Sequence, residues 1–273
     1  MGYPKFSVLM SLYIREKAEY FDQCMQSMLR QTVLPNEIVI VFDGPISREL
    51  SDTVNKYVQQ KTNWIKIVKN KENRGLGLAL ATGVPVCTYD LIARMDTDDI
   101  AREDRFEKQL KMFMIDPELD ICGSHIIEFE NNINNVLSKR EVPLSNQVIA
   151  EYQKQRSAFN HMTVMYKKSM VLRAGNYEHC PLMEDDMLWV RMLLAGAKCA
   201  NVDDYLVYAR TGYAMIERRG GWSYFNKYKM GRKMILDTGY ISKWDYWKTI
   251  GIQFVVALMP KKIRLIIFTK LLR

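Results

Sequence analysis

"DLIARMDTDDI", residues 90–100, decides how this chain is read. Two apolar residues, Leu91 and Ile92, run into three carboxylates, Asp96, Asp98 and Asp99. The apolar approach reads as a buried strand and the acids as its end. In a strand, residues 96 and 98 point to the same side. Two carboxylates on one side repel unless a cation lies between them. Hard oxygen ligands suit Mg²⁺ or Mn²⁺, with phosphate oxygens and water completing the shell. A plainer reading makes Asp99 a helix N-cap and leaves the other two acids solvated.

Upstream, strand-like "FSVLMS", "NEIVIVFDG" and "WIKIVKN" alternate with helical "AEYFDQCMQSMLRQ", "SRELSDTVNKYVQQ" and "LGLALATGV". In the first helix Tyr20, Phe21, Cys24, Met25, Met28 and Leu29 fall on one face. Strands alternating with helices imply crossovers, and so an α/β fold with a mostly parallel central sheet flanked by helices. Ligands bind beyond the carboxyl ends of such strands. Those ends carry Ser11, Leu12 and Tyr13, then Asp43, then Asn73 and Arg74, then the acidic run. Asp43 before Gly44 reads equally well as a turn residue. "NRGLGL" lacks the G-x-G-x-x-G spacing of a dinucleotide site.

Downstream the order loosens. "RFEKQLKMFMI" reads as a helix, "LDICGSHIIEFE" as extended and "NNINNVLSKREVP" as a polar loop. A helix near 146–155, an extended "TVMYKK" and a helix over 186–195 follow. The expected organisation is a body over 1–216, with a nucleotide-binding half (1–100) and an acceptor half (101–216), and a basic helical tail over 217–273.

Composition narrows the classes. The chain has 273 residues, 48% of them hydrophobic, enough for one large core. Its formal charge is +8, yet residues 217–273 hold thirteen Lys or Arg against three acids. The body is near neutral and the tail basic, which points to an anionic partner for the tail. In "WDYWKTIGIQFVVALM", Trp247, Ile250, Gly251, Phe254, Val255 and Leu258 recur at helical spacing, with Trp244 and Tyr246 beside them. The basic "KKIRLIIFTKLLR" follows Pro260. This is the pattern of a helix lying in an anionic membrane surface, or else of a packing or dimerisation element. No apolar run approaches the ~20 residues of a membrane span. The five cysteines are scattered, odd in number and never C-x-x-C, so they read as reduced cytoplasmic thiols without zinc. No nucleic-acid motif accompanies the basic charge.

"FSVLMSLY", "VIVFDG", "NRGLGLAL", "RMDTDD" and "LMEDDMLWVRML" stand in the order found in family 2 inverting glycosyltransferases of the GT-A fold. The resemblance runs roughly from Phe6 to Leu194. It is strongest to bacterial enzymes that build polysaccharide repeat units, O-antigen or capsule, on an undecaprenyl diphosphate carrier. It implies a UDP-sugar donor (galactose or glucose), Mn²⁺ or Mg²⁺, a lipid-diphosphate-linked sugar acceptor and a β-linked product made at the inner membrane surface. By the same resemblance, Asp43 would bond the uracil, with Ser11, Leu12 and Tyr13 bordering the uridine. Asn73 and Arg74 would lie near base and ribose. Asp96 would meet the ribose or the metal's hydration shell, and Asp98 would hold the metal. Asp185, with Glu184 beside it, would be the base, although Asp186 competes for that role and all three can also cap a helix. Asn160, His161, Arg210, Arg218 and Arg219 would be acceptor-side or diphosphate contacts; a lone His is more often structural. A nucleotidylyltransferase would need a Gly-rich basic loop, and "MSLYIREKAEY" has no Gly. A non-catalytic sugar-nucleotide binder would not need both Asp98 and Asp185.

Overall fold

The computed structural model describes residues 2–60, 63–211 and 220–259. The first half alternates β1 (Phe6–Leu12), α1 (Ala18–Leu29), β2 (Glu37–Phe42), α2 (Arg48–Gln60), β3 (Ile65–Lys69), α3 (Leu76–Val86) and β4 (Leu91–Arg94). Then come β5 (Ile100–Ala101), α4 (Arg105–Ile115), β6 (Ile121–Glu130), β7 (Asn132–Arg140), α5 (Asn146–Gln153), β8 (Met165–Lys167), α6 (Lys168–Arg173), α7 (Glu184–Leu194) and β9 (Cys199–Arg210). Two further helices, α8 (Gly221–Asp237) and α9 (Lys243–Leu258), complete the described chain.

The strands form one sheet, ordered β3-β2-β1-β4-β8-β6-β9-β5, with β7 paired to β6. β1 is parallel to β2 and β4, and β2 to β3, as the alternating pattern requires. Beyond β4 the expectation of a mostly parallel sheet fails. β8 runs antiparallel to both β4 and β6, while β6 and β9 are parallel. The short β8 lies between β4 and β6 and runs against both, so the whole sheet is mixed.

β1 and β2 read as continuous apolar runs because both faces are covered. Side chains alternate across the sheet. Val8 and Met10 therefore enter one core with Phe21, Met25, Leu50 and Phe106. Leu9, Val39 and Val41 enter the other with Leu80, Val84, Leu188 and Trp189.

Residues 132–140, read from sequence as loop, form β7, an edge strand paired antiparallel to β6. Its Asn-rich, largely exposed sequence has no apolar face to betray it. The C-terminal segment is less separate than expected. Phe225, Ile235, Tyr246 and Ile250 of α8 and α9 pack against Met183, Met187 and Val190, so residues up to Leu258 belong to the body. A capping box starts α9: Ser242 Oγ accepts from Asp245 N at 3.1 Å, and the Asp245 carboxylate accepts from Ser242 N at 3.0 Å. The apolar stripe is divided. Ile250 faces inward, while Trp244, Trp247, Val255 and Leu258 are 76, 62, 53 and 58% exposed. No described helix is long and apolar enough to cross a membrane. The "KKIRLIIFTKLLR" segment lies outside the described residues.

Candidate active site

The carboxyl ends of β1, β2 and β4 meet at one edge. Asp43 N donates to Leu12 O at 2.7 Å, and Thr97 Oγ1 reaches Ser11 O at 3.4 Å. Ser11 and Tyr13 are half-buried there, and Leu12 is in the core. β4 ends at Arg94, so Asp96 and Asp98 do not share a strand face as expected. The run instead folds as a turn, with Asp99 N donating to Asp96 O at 3.4 Å. The helix-cap reading of Asp99 also fails, because β5 follows directly and α4 begins only at Arg105.

Asp99 is 2% exposed; its Oδ1 accepts from Arg210 N at 2.7 Å, and its Oδ2 has no partner. Burial and then the adjacent Asp96 push Asp98 up to about 6. Glu16, in the loop after β1, is pushed up to about 7 by burial, then by Asp98 and Asp96. Sequence reading missed Glu16. It belongs to no motif, and its only signal is an acid just beyond the first strand. Crowding and burial raise Glu16, Asp98 and Asp99 alike, and added positive charge here would relieve them. Their hard oxygens fit Mn²⁺ or Mg²⁺. Among the described residues no group of three ligating side chains could hold a metal by itself. A cation at Asp98 and Asp96 would therefore need further oxygen ligands beyond these side chains.

Two arginines frame this turn. Arg210 donates from Nε to Asp98 O at 2.9 Å, from Nη1 to Asn131 O at 3.0 Å and from Nη2 to Gln23 Oε1 at 2.6 Å. It also stacks 3.9 Å from the centre of the Tyr20 ring. Its guanidinium is thus committed to bracing the acidic turn rather than open to a diphosphate. Arg94 is 1% exposed and paired with Asp96, while its Nε and Nη1 have no partner. Its charge favours ionisation of Asp98, Glu184 and Asp185 alike, so both acidic groups lie within its field.

Asp43 is 3% exposed and accepts from Asn70 Nδ2 at 3.3 Å, Arg74 N at 2.9 Å and Gly75 N at 2.9 Å. It does cap the turn into α3. A carboxylate offers about four acceptor positions, so one donor more can be accommodated. Gly44 adopts φ +83°, and a Cβ there would lie 2.7 Å from Asn73 N. That close crossing presents the exposed Asn73 and Arg74 at the same edge. Gly77 does similar work, since its Cβ would meet Glu184 Cβ at 2.8 Å. The absent side chain lets α3 press against the start of α7.

Glu184, Asp185 and Asp186 form the first turn of α7, where acids oppose the positive helix end. Asp186 Oδ1 accepts from Gln153 Nε2 at 2.8 Å. Asp185 is half-buried, and burial, then Asp186 and Glu184, push it up to about 7. Glu184 is also raised by burial. Asn160 is 1% exposed and donates to Ser124 O at 2.9 Å. His161 Nε2 lies 2.9 Å from Tyr177 Oη, and its ring packs edge-on against Trp189. Burial, then Arg94, holds His161 far below its usual range, so it is neutral. Both residues join the core to the rear of the site. Arg218 and Arg219 lie outside the described residues.

A sheet edge ending in an acidic turn, facing a second acid group on a helix N-terminus, is matched by one family model. The model, "Glycosyl transferase family 2", covers residues 7–180. The chain belongs to glycosyltransferase family 2. An amylovoran biosynthesis glycosyltransferase, AmsE, of Erwinia amylovora is 37% identical over 97% of this chain and 98% of its own. An Escherichia coli protein, UDP-Gal:alpha-D-GlcNAc-diphosphoundecaprenol beta-1,3-galactosyltransferase, is 34% identical over 99% of this chain and 97% of its own. Among solved structures, the mannosyltransferase PcManGT of Pyrobaculum calidifontis, in complex with GDP-Man and Mn²⁺, superposes with a TM-score of 0.66. It shares 14% identity over 97% of this chain and 72% of that one. That likeness supports the GT-A fold expected from the motifs. The chain is therefore a family 2 glycosyltransferase, and two of its bacterial relatives carry names of amylovoran and O-antigen biosynthesis.

Proposed function

We propose that this chain is an inverting hexosyltransferase. It moves galactose or glucose from a UDP-sugar to a sugar on a lipid diphosphate, forming a β-linkage during O-antigen or capsule synthesis. The observation that carries this is that two acid groups lie within the field of buried Arg94. One is a crowded turn that calls for a cation, and the other contains an acid poised near neutrality. In this reading Asp43, with the Ser11 to Tyr13 backbone, holds the uracil, and Asn73 and Arg74 flank base and ribose. Asp98, helped by Asp96, holds Mn²⁺ or Mg²⁺. When bound, such a cation neutralises charge on the departing diphosphate.

Asp185 accepts the proton of the acceptor hydroxyl. The freed oxygen bonds to the anomeric carbon as the carbon–oxygen bond to diphosphate breaks, and its electron pair leaves with UDP. Attack opposite the leaving group converts an α-linked donor to a β-linked product. A base near 7 suits this, because it is substantially ionised at neutral pH yet holds the proton well enough to draw it away. The exposed Trp244, Trp247, Val255 and Leu258 support a peripheral place on the inner membrane surface, where a lipid-linked acceptor resides.

The test is UDP release from a panel of UDP-sugars with Mn²⁺, with and without a sugar–diphosphate–lipid acceptor. Acceptor-dependent release with UDP-galactose or UDP-glucose, and a β-anomeric product by NMR, is expected. Release indifferent to every such acceptor contradicts the proposal.

A further inference from the structure

A cavity of about 410 Å³, with Asp186 in its lining, opens between the sheet and the two C-terminal helices. That volume is within the range of small-molecule sites. Three arginines line it, Arg140 from β7, Arg156 from the loop after α5 and Arg232 from α8. Asp186 is at its wall, one residue from Asp185, and Ile252 and Val256 of α9 add apolar surface.

Two features of the lining call for a ligand. Arg232 is only 4% exposed, yet its guanidinium bonds to neutral oxygens, Thr249 Oγ1 at 3.1 Å and Lys154 O at 2.7 Å. Among the described residues no carboxylate lies within ion-pair distance of it; the Asp245 carboxylate, which feels its field, is occupied with Ser242. A buried charge without a counter-ion is expensive. On the same wall, Gln253 Nε2 is a buried donor with no partner. Asp186, also at the wall, accepts from Gln153.

We infer that this cavity receives the diphosphate of the lipid-linked acceptor, with Arg232, Arg156 and Arg140 as its cationic wall. The inference rests on the acceptor class proposed above. A diphosphate supplies the missing negative charge and acceptors for Gln253, and arginine forks suit its oxygens. The sugar is thereby brought beside Asp186 and Asp185. The lipid is directed along α9, whose apolar residues line the cavity and continue onto its exposed face. The donor's diphosphate and the acceptor's thus occupy separate sites.

Binding of a short-chain sugar–diphosphate–lipid is measured by titration calorimetry without donor or metal, so that the donor site contributes nothing. Arg156 is exposed, and Arg156→Ala should fold normally and bind at least ten-fold more weakly. Arg232→Gln should bind about a hundred-fold more weakly, and excess inorganic diphosphate should displace the lipid from the parent. A lipid joined through a neutral ether should bind parent and variants equally weakly. Folded Arg156→Ala and Arg232→Gln proteins that bind like the parent would overturn the cavity assignment. The function proposed above would survive that result if the parent still transferred sugar to the diphosphate-linked acceptor. Transfer by the parent to the ether-linked acceptor just as readily would overturn the acceptor class itself.

Discussion

The molecule carries two acidic triplets, and the same residue type behaves differently in each. Asp96, Asp98 and Asp99 sit in a turn after a strand, crowded by Glu16 and braced from behind by Arg210. Glu184, Asp185 and Asp186 sit on a helix N-terminus, where backbone N–H groups face them. Crowding raises acids in both. In the turn, however, the crowded acids include a buried Asp99 oxygen with no partner, and the proposed cation at Asp98 and Asp96 would relieve that crowding. On the helix, Asp186 accepts from Gln153, and burial with the Asp186 and Glu184 charges pushes Asp185 up to about 7, the group proposed above as the proton acceptor. On the proposal above, what lies behind each cluster separates their roles: a braced turn would concentrate charge for a cation, and a capped helix would let one acid exchange a proton.

The sharpest break of this contrast is on the helix. Asp185→Asn keeps the size but cannot take a proton, so transfer should fall 10²–10⁴-fold, the usual cost of losing a general base. Asp186→Asn should cost far less, and assays of both variants at saturating acceptor would reverse the assignment if Asp186 proved the more damaging. Next in size is Asp43→Ala. The carboxylate's three bonds into the start of α3 predict a loss of about 1–2 kcal/mol of stability together with weaker UDP binding. Chemical denaturation and calorimetry measure the two effects separately.

Smaller effects follow from charge. Transfer requires ionised Asp185, so kcat/KM should rise with pH through about 7. Removing the Asp186 charge should lower that midpoint, since Asp186 raises Asp185. The folded protein also holds Asp185 above its unfolded value of 3.8. Its ionisation therefore destabilises the fold as pH rises from about 4 to 7. Asp185→Asn should melt above the parent at pH 8, and the difference should shrink toward pH 4. Least for catalysis, Trp244→Ser with Trp247→Ser should reduce binding to anionic liposomes and leave turnover of a soluble short-chain acceptor intact. Unchanged liposome binding would assign the exposed stripe another role. Deleting all of α9 is a poor substitute, because Tyr246 and Ile250 are part of the core.

The first half was legible because β1 and β2 are apolar runs ended by a polar signal and α1 and α2 have one apolar face. The acceptor half was less so. β7 has no apolar face, and β9, with buried and exposed positions mixed along twelve residues, carries no simple alternation. The acidic groups were visible as spacing, but their supports were not. Glu16, Arg94 and Gln153 come from separate segments and meet only in three dimensions. Arg210 was visible as a cation, yet its surroundings, Tyr20, Gln23 and Asn131, decide that it braces. The arginine cavity draws on β7, the α5 loop, α8 and α9, so no local motif could announce it.

The central claim, that one acid group serves a cation and the other a proton, is tested most directly by titrating UDP-sugar into Asp98→Asn and Asp185→Asn, each with and without Mn²⁺. The account predicts that Asp98→Asn loses the gain in affinity that Mn²⁺ confers on the parent, while Asp185→Asn keeps that gain in full and yet transfers no sugar. A metal-dependent gain that survives in Asp98→Asn, or disappears in Asp185→Asn, would contradict it.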